Sequence, residues 1–375
     1  MTGRPTRQDA GTMVFHAPYP LGARDGTGSG VRPVRMRQAF EDLGCEVIDI
    51  TGYGSDRARA VRRLARRLAD GLTVDFAYGE NSTMPTLLTE PHHLPTHPLV
   101  DLRLLHLLRR HGVPTGLFYR DIYWAFPEYT ERVHPLVAVG TRTLYHAELL
   151  AYGRWLDRVY LPSRLIADRV PHLRPEQVAP LPPGGRVVDA PSTSSGLTVL
   201  YVGNISSYYR MTEMVRAVEA TPGVSMILCT PEESWAAVRE EYSPLMAGSV
   251  EVVHRRGDGL QELFERADVC SLVVEPSEYR DFAAPVKLYE YLGYGKPVIA
   301  TAPTLAAQTV EDAGAGWTVQ YDAGAIAGRL AQLRDDPGDL AATTRRVLAV
   351  RHEHTWEARA RTVRDDLTAI RDARR

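Results

Sequence analysis

Apolar runs of strand length alternate with amphipathic helical stretches almost throughout these 375 residues, and the alternation breaks once. Such a pattern builds parallel sheets flanked by helices, because a parallel strand needs a crossover to return beside its neighbour. Strands are expected at 12–17, 45–50, 74–78, 115–119 and 158–161, and helices at 31–43, 55–70, 99–111, 136–152 and 164–172. A long loop rich in Pro, Thr and His fills 79–97. The break is the stretch 181–196, dominated by Pro, Gly and Ser and read as an interdomain linker. Beyond it, strands are expected at 198–202, 224–229, 250–254, 268–274 and 297–300, between helices at 211–220, 234–245, 260–266 and 285–294. The expected fold class is α/β: two facing Rossmann-like domains with parallel sheets, residues 1–183 and 197–350, joined by a linker at 184–196 and followed by a helical segment at 351–375. Ligands of such sheets bind beyond the carboxyl ends of the strands, so the cleft between the domains is the expected site.

Composition narrows the function classes. Hydrophobic residues at 44%, charged residues at 24% and a net charge of -2 describe a globular protein without the concentrated basic face that nucleic acid requires. Arginine is locally dense: Arg57, Arg59, Arg62, Arg63, Arg66 and Arg67 load one helix, and Arg32, Arg35 and Arg37 another. These read as solvated faces, with a membrane-surface or acidic-partner patch as the alternative. Cys45, Cys229 and Cys270 lie in apolar runs without metal spacing and read as core residues in a reducing cytoplasm. No apolar run approaches the roughly 20 residues of a membrane span, and the first residues lack the apolar region of a secretory signal. A cytoplasmic protein is expected, with any membrane contact peripheral, at the inner face.

The lysines are the sharpest chemical signal. There are two against 42 arginines, Lys287 and Lys296, both within 285–301. A compact ammonium suits a phosphate group. Glu290 follows Lys287 by three residues on one helical face, placing a cation for phosphate beside a carboxylate for vicinal hydroxyls, as a sugar nucleotide needs. Lys296 reads more readily as incidental. Gly203 follows a strand and allows close backbone approach, and Arg210, at the start of the next helix, can join Lys287 on a diphosphate or stand as a surface arginine. In the first half, His16 opens a loop with Gly26, Gly28 and Gly30 that runs into a helix, either a flexible turn or an acceptor or phosphate loop. Asp121, after the strand at 115–119, can act as general base towards an acceptor hydroxyl, or pair with Arg120 or cap the next segment. Tyr123, Trp124 and Phe126 beside it can stack on a sugar or belong to the core. His92, His93 and His97 lack a closing partner for a metal, and no Asp-x-Asp motif occurs, so no metal is expected.

Together the second-half residues resemble the retaining, family-4-like glycosyltransferases of the GT-B fold, group 1, best from Leu200 through the helix after Thr301. The resemblance implies Arg210 and Lys287 on the diphosphate and Glu290 on the ribose hydroxyls; by the same analogy, the last helix, near 356–369, packs back on the first domain. The family commonly carries Glu-x7-Glu; here the earlier position is Phe282, with Asp281 and Glu278 nearby but out of register. A related inverting group, resembling bacterial glucuronosyltransferases of exopolysaccharide assembly, also lacks that carboxylate and uses an Asp of the first domain, a role that would fall to Asp121.

The leading expectation is therefore transfer of a sugar from a nucleoside-diphosphate-sugar donor to a hydroxyl or amine of a cell-surface glycan or natural product. No cofactor beyond that co-substrate, and no nucleic-acid partner, is implied. A catalytically degenerate partner subunit is the alternative, supported by Phe282. A Rossmann-type nucleotide-sugar epimerase or dehydrogenase fits less well, because the chain lacks both Gly-x-Gly-x-x-Gly and Tyr-x-x-x-Lys.

Overall fold

The structure is a computed structural model that describes residues 11–22, 28–126, 129–130, 133–206, 209–276 and 284–374. It comprises two compact units, Met1–Pro182 with Trp356–Arg375, and Pro183–Thr355. The first holds six parallel strands: β1 (Thr12–Ala17), β2 (Glu46–Thr51), β3 (Phe76–Glu80), β4 (Thr115–Phe118), β5 (Arg158–Leu161) and β6 (Val178–Pro180), in the order β2-β1-β3-β4-β5-β6. Side chains alternate across this sheet, as strand geometry dictates. Val14 and Ala77 face a core with Val61, Leu64, Leu104 and Leu108, from the helices Gly54–Ala69 and Val100–Arg110. Phe15, Phe76 and Tyr78 face the other way, where Phe15 and Tyr78 meet Phe40 of the helix Gly28–Asp42 at ring distances of 6.5 and 5.5 Å. The helix Trp356–Asp372 packs beside Gly28–Asp42 and is tied to β5, Arg158 and Tyr160 both donating to Asp366 at 2.9 Å.

The second unit has β7 (Leu197–Val202), β8 (Val224–Cys229), β9 (Val250–Val253), β10 (Val269–Leu272), β11 (Val298–Thr301) and β12 (Gly316–Val319), all parallel, in the order β12-β11-β10-β7-β8-β9. Strand order reverses between β7 and β10 here, and between β1 and β3 in the first unit. Both sheets thus have the switch point at which doubly wound folds bind ligands.

The differences from the sequence reading have local causes. The third strand runs to Glu80 rather than stopping at Tyr78, because Gly79 leaves room for the His16 ring and Glu80 is neutralised within the fold. The composition of 183–196 breaks the alternation without detaching the segment. Val188 N–H donates to Gly293 O (3.0 Å), Thr193 N–H donates to Glu265 O (2.8 Å), and Asp189 pairs with Arg351 (2.6 Å), all within the second unit. The helix expected after Thr301 is Leu305–Asp312, whereas the short strands β6 and β12 and the helices Ala323–Asp335 and Pro337–Val350 were not anticipated. The three cysteines are buried free thiols, and burial pushes Cys45 up to about 11.

Candidate functional site

At the switch point of the second unit the chain leaves β7 through Gly203, whose φ of +145° is a conformation L side chains rarely adopt. A Cβ there would lie 2.0 Å from both Cε and Nζ of Lys287, so the end of the lysine rests directly on the glycine. The helix Val286–Gly293 makes this contact possible. Its buried Tyr291 accepts from Val202 N–H at 2.9 Å, fixing the helix to the end of β7. Lys287, one turn earlier on the same face, then reaches Gly203. Its ammonium donates to the Tyr201 hydroxyl (2.8 Å), which donates to Asn204 O (2.7 Å). It also stands 4.5 and 4.8 Å from the ring centroids of Tyr201 and Tyr209, within cation–π range. A half-buried ammonium is thereby held at the carboxyl end of the central strand, a suitable setting for an anion. Glu290 is half-buried and follows in the next turn.

Arg210 is 46% exposed and donates to Glu241 at 2.7 Å, while its carbonyl accepts from Glu275 N–H at 2.8 Å just beyond β10. Hydrogen bonding to Glu241 holds its pKa above the ordinary value. The structure thus brings Gly203 and Lys287 into contact and gives Arg210 carboxylate partners of its own. Lys296 is unlike Lys287: it is buried, donates to Ala267 O at 2.7 Å, and burial lowers its pKa. Asp281, Phe282 and Glu278 lie outside the described residues.

In the first unit, His16 points into the layer between β1 and the helix Val100–Arg110. There its Nε2 meets Asp101 at 2.8 Å, and Arg57 holds the same carboxylate through two bonds of 2.9 and 3.0 Å. Burial works against the Asp101 charge, but His16 and Arg57 outweigh it and keep its pKa below the usual carboxylate value. Gly26 lies outside the described residues, and Gly28 begins the first helix. Gly30 lines a cavity of about 170 Å³ together with Tyr19, Tyr53, Glu90 and Arg120. Glu90 is anchored in that wall, accepting from Gly54 N–H at 2.6 Å at the start of a helix. Asp121 follows Arg120; its Oδ1 accepts from Tyr123 N–H at 2.8 Å, so the carboxylate caps the turn Tyr123–Ala125. The Tyr123 ring is edge-on to Tyr129 at 6.0 Å.

Beneath the cavity runs a charge network that sequence reasoning missed. Glu80 is fully buried, accepts from Arg32 Nε (3.0 Å) and the Tyr78 hydroxyl (2.6 Å), and lies 3.7 Å from Arg120. The Arg32 guanidinium also stacks 3.4 Å above the Phe118 ring. Burial disfavours the Arg32 cation, but Glu80 and Tyr78 outweigh it and leave its pKa raised. Tyr201 and Tyr291 were missed as well, since aromatics in apolar stretches read as core; the dense tyrosines around Lys287 were the available signal.

Comparison with known proteins bears on the fold and on the second unit. Residues 196–336 match the family model "Glycosyl transferases group 1". The structure is similar to that of Anabaena HepE, solved in complex with UDP and glucose (15% identity, 96% of this chain and 100% of that one, TM-score 0.61). It is also similar to sucrose-phosphate synthase from Thermosynechococcus elongatus (15% identity, 96% and 99%, TM-score 0.62). A third likeness is to WaaG, a glycosyltransferase involved in lipopolysaccharide biosynthesis (15% identity, 95% and 99%, TM-score 0.54). No curated protein sequence matches the chain significantly. Most of the second unit is therefore similar to the group 1 glycosyltransferases, and the chain has the GT-B fold of the solved structures it resembles.

Proposed function

We propose that the chain is a metal-independent, hexosyl-transferring enzyme that moves a sugar from a nucleoside-diphosphate-sugar donor to an acceptor hydroxyl or amine. The observation that carries this reading is the Lys287 ammonium seated on the Gly203 turn within the group 1 domain. A diphosphate approaching that turn meets a backbone without a Cβ and a cation pre-positioned by a hydroxyl and two rings. Glu290, in the next turn, suits the ribose hydroxyls, and Arg210 would add charge by exchanging Glu241 for phosphate. The HepE structures, with UDP and with UDP-glucose, make UDP the first nucleotide to test. In the transfer, the acceptor oxygen or nitrogen bonds to the anomeric carbon as the bond to the β-phosphate oxygen breaks. Stabilising the departing diphosphate is then the main catalytic task.

The cavity beside Arg120 and Gly30 is suited to the acceptor, a cell-surface glycan or natural product, with Asp121 as the base if configuration inverts and the leaving phosphate assisting if it is retained. The enzyme is placed in the cytoplasm, with at most a peripheral contact at the inner face of a membrane. Calorimetric titration with UDP, GDP, dTDP, ADP and NAD tests the reading: one nucleoside diphosphate should bind, and less well to Glu290→Ala. Asp121→Asn should retain that binding while losing transfer. Binding of NAD alone, or of no diphosphate, would overturn the reading.

A further inference from the structure

Two histidines of the first unit meet at its surface, apart from the residues discussed so far. His146 stands on the helix Pro135–Trp155, and His172 lies in the turn that follows β5 and the short 3₁₀ helix Arg164–Arg169. His146 Nδ1 and His172 Nε2 are 3.0 Å apart, and the ring centroids are separated by 5.2 Å. Both residues are exposed, and neither ring has another hydrogen-bond partner among the described residues.

The chain is shaped to bring them together. His172 has a φ of +67°, a left-handed conformation that a residue with a Cβ adopts only at a cost. Gly153, two turns after His146 on the same face of the helix, receives the His172 carbonyl: a Cβ there would lie 2.3 Å from that oxygen. Trp124 backs the pair. Its indole is edge-on to the His146 ring at 5.2 Å, stacks on Tyr145 at 4.9 Å and donates to the Tyr119 hydroxyl at 3.0 Å. The helix side of the meeting is therefore rigid, and the turn is held against it at a glycine.

A hydrogen bond between two neutral imidazoles places one proton between the facing nitrogens. A metal ion in place of that proton would take a lone pair from each. Nitrogens 3.0 Å apart, each roughly 2.0–2.1 Å from one ion, subtend about 94°. That is the cis angle of a tetragonal or octahedral ion rather than the wider angle of tetrahedral zinc. Affinity for nitrogen sites also rises from nickel to copper and falls again at zinc.

We propose that His146 and His172 form a two-histidine site for a divalent transition ion, Cu²⁺ before Ni²⁺ and Zn²⁺, which clips the turn at 171–172 to the helix Pro135–Trp155. Among the described residues no third His, Cys, Asp or Glu closes on the pair, so water fills the remaining positions. The ion fastens a wall of the first unit next to Trp124, and the proposed transfer stays independent of it.

Titration of the full chain with CuCl₂, NiCl₂ and ZnCl₂ in a non-chelating buffer, followed by calorimetry and tryptophan fluorescence, tests the proposal. One equivalent of Cu²⁺ should bind, about tenfold tighter than Ni²⁺, and quench emission because Trp124 lies against His146. His146→Gln and His172→Gln should each lower Cu²⁺ affinity by at least the roughly 10- to 100-fold that loss of an outer-shell partner costs. Paramagnetic resonance of the Cu²⁺ form should show two imidazole nitrogens in the parent and one in either variant. Both substitutions are at exposed positions, and a melting temperature unchanged in the absence of metal will report an intact fold. Copper binding indifferent to both substitutions would place the ion elsewhere and overturn the proposal. So would tighter binding of Zn²⁺ than of Cu²⁺, or no ion held at micromolar concentration, which would leave the pair a hydrogen bond only. These measurements read the ion directly and do not depend on the proposed reaction.

Discussion

The two switch points use charge in opposite ways. In the second unit, Lys287 sits half-buried against a hydroxyl and two rings at a glycine turn, where an incoming anion can be met. In the first, Glu80 and Arg32 are each almost wholly buried and satisfy one another, and Asp101 is held by His16 and Arg57. A cation set on polarizable neighbours stays available to a ligand, whereas one locked to a buried carboxylate belongs to the scaffold. A charged residue at the end of a strand is thus not a ligand group by position alone.

That contrast can be broken by mutation, and the largest effect should fall in the first unit. Arg32→Met leaves the buried Glu80 with the Tyr78 hydroxyl and the more distant Arg120 cation, and should lower stability by about 3–5 kcal/mol in urea unfolding. A loss near zero would mean that the network is not scaffold. Lys287→Ala should weaken nucleoside diphosphate binding roughly 10- to 100-fold, the worth of a charge-assisted contact of about 1.5–3 kcal/mol, and leave unfolding little changed. Equal loss of binding in Lys296→Met, whose ammonium is committed to Ala267 O, would erase the distinction between the two lysines. Gly203→Ala sharpens the same point from the backbone side. Its Cβ would meet Lys287, and its φ is strained by about 1–3 kcal/mol, so stability and nucleotide affinity should fall together in paired melting and titration experiments.

The smallest effect concerns pH. The folded Asp101 pKa is depressed, so its contribution is full above the ordinary value near 3.9 and is lost as pH falls towards the lower folded value. Acid unfolding of Asp101→Asn, which starts from lower stability at neutral pH, should therefore show a shallower decline below about pH 4 than the parent. Parallel curves would remove Asp101 from the account.

Much of the second unit was legible because its signals are local. A strand followed by glycine, and a lysine in a chain that otherwise uses arginine, both stand out in a linear reading, and Gly203 and Lys287 do meet. Their supports were hidden, because Tyr201 and Tyr291 act through hydroxyls that sequence cannot orient. The first unit was harder. Glu80 looked like the start of a loop because its neutralising partner, Arg32, lies 48 residues earlier, and His16 looked like part of the loop it precedes because Asp101 is 85 residues away. The arginines of Gly54–Ala69 were visible, but not that Pro135–Trp155, separated from them by Val100–Arg110, would leave Leu136, Val139 and Leu150 exposed.

The return of the helix Trp356–Asp372 to the first unit has a consequence for biogenesis. Its Leu367 comes so near Gly116 that a Cβ there would lie 3.3 Å from it, and its Asp366 binds Arg158 and Tyr160. During synthesis, strands β1 to β6 emerge well before this helix, and the whole of the second unit is made in between. The second unit can close as soon as it leaves the ribosome, while the first must wait with one sheet face incompletely covered. The unit translated first is the last to be completed, and a chain cut immediately before Trp356 would hold a full-length second unit attached to an unfinished first.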